Sequence, residues 1–134
     1  MVHPSSAFPN LYEIKNLMVS IETFRQIALS FPEVAEQPHF EKTSFRVAKK
    51  IFTTLNVTNS LACMKLSPVD QDVFSSFDKS VLFPVPNKWG KQGWTYINLQ
   101  KVKKSMLTDA LRTAYCEVAP ARLTSLLKAN GRII

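Results

Sequence analysis

Residues 86–94 read Pro-Asn-Lys-Trp-Gly-Lys-Gln-Gly-Trp, and they place two tryptophans, two lysines and two glycines in nine positions. Indole faces stack on bases and ammonium groups meet phosphates. The chemistry this segment could do is therefore recognition of a polyanion, with Lys88, Trp89 and Lys91 as contacts. Lys49 and Lys50 stand where a tight turn falls between two alternating segments, so they would form a basic wing, with Arg46 close behind. Lys101, Lys103 and Lys104 crowd the approach to a helix, whose positive N-terminus would reinforce anion binding. Each group also has a plainer reading. Trp94 fits a core position and Trp89 a sheet edge. Lysines at a hairpin tip also serve to prevent edge pairing.

Other chemistries find no constellation. His3 and His39 are the only histidines, and no cysteine or carboxylate stands at ligand spacing from His39. Cys63 and Cys116 lie in apolar segments and read as buried free thiols rather than nucleophiles. Glu33, Glu36 and Glu41 read as a solvated acidic loop. The glycines of residues 90–93 lack the strand–loop–helix setting of a phosphate-cradling loop. A non-enzymatic protein without metal or cofactor is expected.

The chain has 134 residues, enough for one domain that folds without disulfides or metal. Hydrophobic residues make up 46% and charged residues 20%, which excludes a disordered chain. The formal net charge is +7, and residues 79–134 hold all of the excess, at +8 against −1 for residues 1–78. No apolar run approaches the ~20 residues of a membrane span, and the N-terminus lacks signal-peptide character. A cytoplasmic location, no membrane and a monomer are the expectations. Residues 1–17 read as a flexible leader and residues 18–134 as a single domain.

The elements that must position these residues follow from periodicity. Ser20 caps a helix over about 20–30, with Ile21, Phe24, Ile27, Ala28 and Phe31 at helical spacing. The polar stretch 32–42 reads as a loop. Residues 43–57 alternate and fold back at Ala48-Lys49-Lys50, and 61–66 make a third strand. Ser67-Pro68-Val69-Asp70 starts a second helix, whose expected buried stripe is Val69, Val73, Phe74 and Phe77. Residues 81–86 make an edge strand at best, because their prolines cannot donate. Residues 87–93 read as a loop and 94–99 as a strand. Ser105 is the expected cap of the next helix, Pro120 opens the last, and Gly131 falls in its C-cap region. The order is helix, three strands, helix, two strands, two helices. This is a two-layer α+β fold: an antiparallel sheet of about five strands with helices packed on one face.

Ile21, Phe24 and the run from Ala28 to Val34, followed by Phe45-Arg46-Val47-Ala48-Lys49-Lys50-Ile51-Phe52, resemble the MmcQ/YjbR family. The segment from Pro84 to Trp94 and the helix ending at Ala114-Tyr115 fit the same pattern, over about residues 18–123. The family pattern has glycine in the first turn where this chain has Ala48-Lys49, so the turn geometry is expected to differ. The resemblance implies a two-layer α+β fold like that of secretion chaperones. It also implies binding of double-stranded DNA by two wings, here the hairpin at Lys49 and Lys50 and the loop from Lys88 to Lys91. The functional expectation is weak, sequence-tolerant DNA binding through Arg46, Lys49, Lys50, Lys88, Trp89, Lys91, Lys101, Lys103 and Lys104. Two alternatives remain open at this point. One is a protein-interaction module that pairs through the exposed 84–89 edge. The other is a small anionic-ligand binder at an aromatic pocket formed by Trp94, Tyr96 and nearby lysines.

Overall fold

In the computed structural model, which describes residues 19–129, the Ser20 hydroxyl accepts from the Thr23 amide and starts α1 (Ile21–Leu29). Phe24 and Ala28 are its buried residues, as the spacing requires. Four strands follow: β1 (Ala35–His39), β2 (Lys42–Val47), β3 (Lys50–Asn56) and β4 (Leu61–Lys65). Ser67 caps α2 (Pro68–Ser75) by accepting from the Asp70 amide. β5 (Leu82–Pro84), the one-turn α3 (Lys88–Lys91) and β6 (Trp94–Asn98) come next. The long α4 (Lys104–Val118) and α5 (Ala121–Ala129) end the order. The expected leader and the Gly131 cap lie outside the described residues.

The strands form one antiparallel sheet in the order β1-β2-β3-β4-β6-β5, with helices on one face. Six strands form rather than about five, because residues 32–42 are not simply a loop. Their middle is β1, an edge strand, where Pro38 is tolerated because no neighbour needs its missing N–H. Glu36 of β1 turns to the helix side and receives two bonds from the Arg25 guanidinium, 3.0 Å from Nε and 2.7 Å from Nη2. The opposite edge strand, β5, ends on Pro84. Residues 87–93, read as a loop, hold the short α3. Helix α4 begins at Lys104 with Lys103 in the cap position and no side-chain cap bond, so Ser105 lies inside the helix rather than before it.

A bulge gives the sheet its inner surface. Phe45 faces Thr53 and Arg46 faces Ile51, so β3 carries one extra residue, Phe52. Phe52 and Thr53 are therefore both buried on the helix side. Phe52 meets Phe31 and Tyr115 edge-on, and Phe31 stacks on Tyr115 at 5.1 Å. The Tyr115 hydroxyl donates to the Pro32 carbonyl at 2.7 Å and ties α4 to the chain leaving α1.

Helix α2 is rotated from its expected orientation. Val69, Val73 and Phe77 are exposed and Phe74 is only partly buried, while Gln71 and Ser75 face inward. The reason is the use made of Gln71. Its amide nitrogen lies 2.9 Å from Gly90 O, 3.0 Å from Thr95 Oγ1 and 3.2 Å from Trp94 O. Gly90 O and Trp94 O also accept from the Gly93 and Val85 amides, so Gln71 gives each a second donor and ties α2 to the segment between β5 and β6, a link no apolar side chain could make.

The β2–β3 turn is two residues long, with Ala48 at φ +51° and Lys49 at φ +69°. Two left-handed central residues define the type I′ hairpin, which asparagine and glycine adopt with least strain. The glycine-free sequence thus keeps the tight turn and bears the strain. Ala48→Asn is expected to stabilise the protein by ~0.5–1 kcal/mol, read as a higher urea midpoint at unchanged slope. A lower midpoint would contradict this account of the turn.

Candidate nucleic-acid interface

Strand alternation sends one set of side chains away from the helices. β6 buries Thr95 and Ile97 and turns Trp94 and Tyr96 outward. Trp94 is therefore not a core residue. It stands half-buried on the helix-free face, opposite Lys65 of β4. Tyr96 stands opposite Cys63 and tilts against Phe83 of β5 at 5.7 Å. On β2 the outward residues include Lys42 and Arg46, and the Arg46 Nε donates to Ser44 Oγ at 3.0 Å.

This face holds a hollow of about 370 Å³. Its aromatic walls are Trp89, Trp94 and Tyr96, and its polar walls include Lys42, His39, Thr54 and Asn87. No carboxylate is among its lining residues. Thr54, Cys63, Tyr96 and Lys42 also line an adjoining recess that runs to Asn56 and Asn59. Sequence reasoning proposed Trp94 and Tyr96 only for an alternative pocket, and missed His39, Lys42, Thr54 and Asn87. The period-2 pattern in 94–98 carried the signal for the rings. No local signal marks His39, because β1 has no apolar alternation.

The chain between β5 and β6 is held by close backbone approach. A Cβ on Gly90 would fall on the Val85 carbonyl oxygen. A Cβ on Gly93, which sits at φ +107°, would fall on the Leu66 carbonyl oxygen. Leu66 N–H donates to Gly93 O, and Val85 N–H donates to Trp94 O, both at 3.0 Å. The Lys65 ammonium spans the same junction, donating to Gln92 O at 2.7 Å and Leu66 O at 3.2 Å. The Asn87 side chain caps α3 by accepting from the Trp89 amide at 2.8 Å. Trp89 thus stands half-exposed at the rim of the hollow, with the Lys88 Nζ 5.9 Å from its ring centroid.

The basic residues divide into two groups. Lys49 lies in the β2–β3 turn and Lys50 opens β3, where it lines a shallow recess shared with Lys65, Trp94 and, from the end of α4, Glu117 and Val118. Helix α3, which ends three residues before Trp94, carries Lys88 and Lys91. These four lysines belong to the end of the sheet where β3 starts and β6 begins. Lys101, Lys103 and Lys104 follow Asn98, which pairs with Leu61 at the other end. They do not join the first group. Asp78 lies near Lys101, and its carboxyl is held below the ordinary range chiefly by hydrogen bonds from Ser80.

Two carboxylates of the acidic loop form ion pairs on the helix side, while Glu41 is exposed in the turn between β1 and β2. Besides Glu36 with Arg25, Glu33 accepts two bonds from Arg122 of α5, which lower its carboxyl below the ordinary range. Cys63 and Cys116 form no disulfide and are half-buried rather than fully buried. Burial pushes the Cys63 thiol up to about 11, against a smaller opposing pull from Lys42. Among the described residues no group of three or more His, Cys, Asp or Glu could hold a metal ion. No helix among them is long and apolar enough to cross a membrane.

A six-stranded antiparallel sheet with one helix-covered face and one basic, aromatic face defines the class. The YjbR family model matches residues 29–117, and the chain belongs to that family. Among solved structures it is similar to the crystal structure of Deinococcus radiodurans protein DR2400, which carries the family-model domain DUF419. The two share 19% identity at a TM-score of 0.67, over 87% of this chain and 91% of that one, a likeness of fold. No curated protein matches the chain.

Two outcomes follow from this geometry. Gly93→Ala should lower stability by ~2 kcal/mol or more, since both the positive φ and the Leu66 carbonyl oppose a Cβ. A urea midpoint equal to wild type would contradict the close approach. At pH 8 Cys63 should alkylate roughly a hundredfold more slowly in the folded chain than in urea, read by peptide mass spectrometry. The same proton retention makes Cys63's contribution to stability fade as pH rises from about 9 to about 11. Equal labelling rates in the folded and unfolded protein would contradict it.

Proposed function

We propose that this protein is a non-enzymatic DNA-binding protein that holds the phosphate backbone with little choice of sequence. One observation carries the reading. Two segments almost forty residues apart bring Lys49, Lys50, Lys88 and Lys91 to the same end of one sheet. Three strand spacings of ~4.8 Å separate β3 from β5, so the two basic wings stand roughly 14 Å apart. That spacing is comparable to the ~12 Å width of a major groove. Trp89 and Arg46 assist, the first at the rim and the second on the outward face of β2. Lysines are point charges that position a backbone without specifying bases.

The edge-pairing alternative is less well supported. Pro84 and Pro86 have no N–H, and the Val85 and Asn87 amides are already bonded within the chain. Lys101, Lys103 and Lys104 are left out of the interface because they flank the opposite end of β6.

The test is fluorescence anisotropy with a short labelled duplex. Four phosphate contacts predict a log–log salt slope of about −3.6. Lys49→Glu/Lys88→Glu should weaken binding at least ~10-fold at low salt, and Lys101→Glu/Lys103→Glu less than ~3-fold. A flat salt response, or equal losses in the two variants, would overturn the two-wing reading.

A further inference from the structure

The wings account for lysines but leave the hollow on the helix-free face unused. We infer that this hollow takes the unpaired bases of a single DNA strand, stacked on Trp94 and Tyr96. The inference rests on the DNA-binding reading and adds the form of DNA.

Three observations carry it. First, the rings are presented to solvent. Trp94 and Tyr96 project from neighbouring outward positions of β6, with Trp89 closing one side. The volume of about 370 Å³ lies in the range of sites that enclose small planar groups. Second, the charge complements an anion. Lys42 lines the hollow and no carboxylate does; Lys50 and Lys65 share the recess that adjoins Trp94, where the two ammonium groups outnumber one carboxylate, Glu117 of α4. A strand laid across the face would therefore meet an ammonium at either end, with rings between them. Third, the backbone there is consumed. β6 is paired on both sides, so a peptide could not add to it as a further strand. What remains available is ring faces, side-chain polar groups and cations.

That set suits unpaired nucleotides better than a duplex. In a duplex each base offers only its edge, while both faces are covered by neighbouring bases. A ring wall at the back of a recess can be met only by a base turned out of the stack. Asn87 and Thr54 would then face base edges, which limits any preference to what two neutral polar groups can read. The wing lysines would hold the flanking phosphates, so the same protein would sit at a junction of paired and unpaired DNA.

The whole chain should be titrated with a short labelled oligo(dT), and separately with the duplex that this strand forms with oligo(dA). Trp89 and Trp94 are the only tryptophans of the chain, so their emission reports directly on this face. The strand should bind at least ~10-fold more tightly than the duplex at equal salt and should quench the emission strongly. Trp94→Leu should weaken strand binding at least ~10-fold more than duplex binding. Tyr96→Leu is the second variant, and circular dichroism checks that both fold. Equal affinity for the two probes without quenching, or ring variants that bind the strand like wild type, would overturn the inference. So would full competition by thymidine monophosphate at the concentration of the strand, since that outcome assigns the hollow to a free nucleotide. The two proposals separate cleanly. Salt-sensitive duplex binding lost in Lys49→Glu/Lys88→Glu, with no strand preference, leaves the wings and removes the stacking site. Strand quenching that survives that variant does the reverse.

Discussion

The backbone contacts at Gly90 and Gly93 are the constraint on which the site depends. At both positions a neighbouring carbonyl occupies the space of a side chain, so the 85–94 segment lies against the sheet rather than looping into solvent. Gln71 and Lys65 donate to carbonyls of this segment and tie it to α2 and β4. Fixing that segment fixes Trp89, Lys88 and Lys91 relative to Trp94. It also sets the rotation of α2, because Gln71 must face inward. The exposure of Val69, Val73 and Phe77 is the consequence on the other side of the helix.

The sheet separates two kinds of electrostatics. On the helix side, carboxylates are matched with guanidinium groups: Glu36 and Glu22 with Arg25, Glu33 with Arg122, Asp109 with Arg112. These pairs are partly or largely exposed, so each contributes little to stability. They do, however, remove negative charge from the neighbourhood of the other face. That face keeps lysines, rings and neutral polar groups, with Glu117 at its margin beside Lys50 and Lys65. A net charge of +7 spread evenly would serve solubility alone, whereas this partition gives the excess a direction.

Much of the fold was legible because its elements carry strong local signals. Ser20 and Ser67 cap the helices that their positions predict, and the alternation of 43–57 and 94–98 marks strands correctly. β1 was not legible, since Glu36, Gln37 and Pro38 give no apolar alternation and the strand is specified by its partner β2 and by Arg25. The α2 stripe was misread for a similar reason. Periodicity ranks residues by hydropathy, and it cannot see that the Gln71 amide bonds a distant backbone. The site was half legible. The lysines and tryptophans were visible as types, and the Lys49 and Lys88 segments were paired through a family resemblance. The separation of Lys101, Lys103 and Lys104 from them depends on strand register, which no local pattern encodes. Trp94 was the costliest misreading, because a large ring in a strand is usually core, and here the pleat turns it outward.

The central claim is that the β2–β3 turn, α3 and the helix-free face act as one surface. Backbone amide shift mapping of the whole chain with a short DNA strand tests it most directly. The account predicts shifts concentrated in residues 39–42, 48–54, 63–65 and 87–96, with 101–104 and the outer faces of α1 and α5 unchanged. Shifts centred on 101–104 or on the helix-covered side would contradict it.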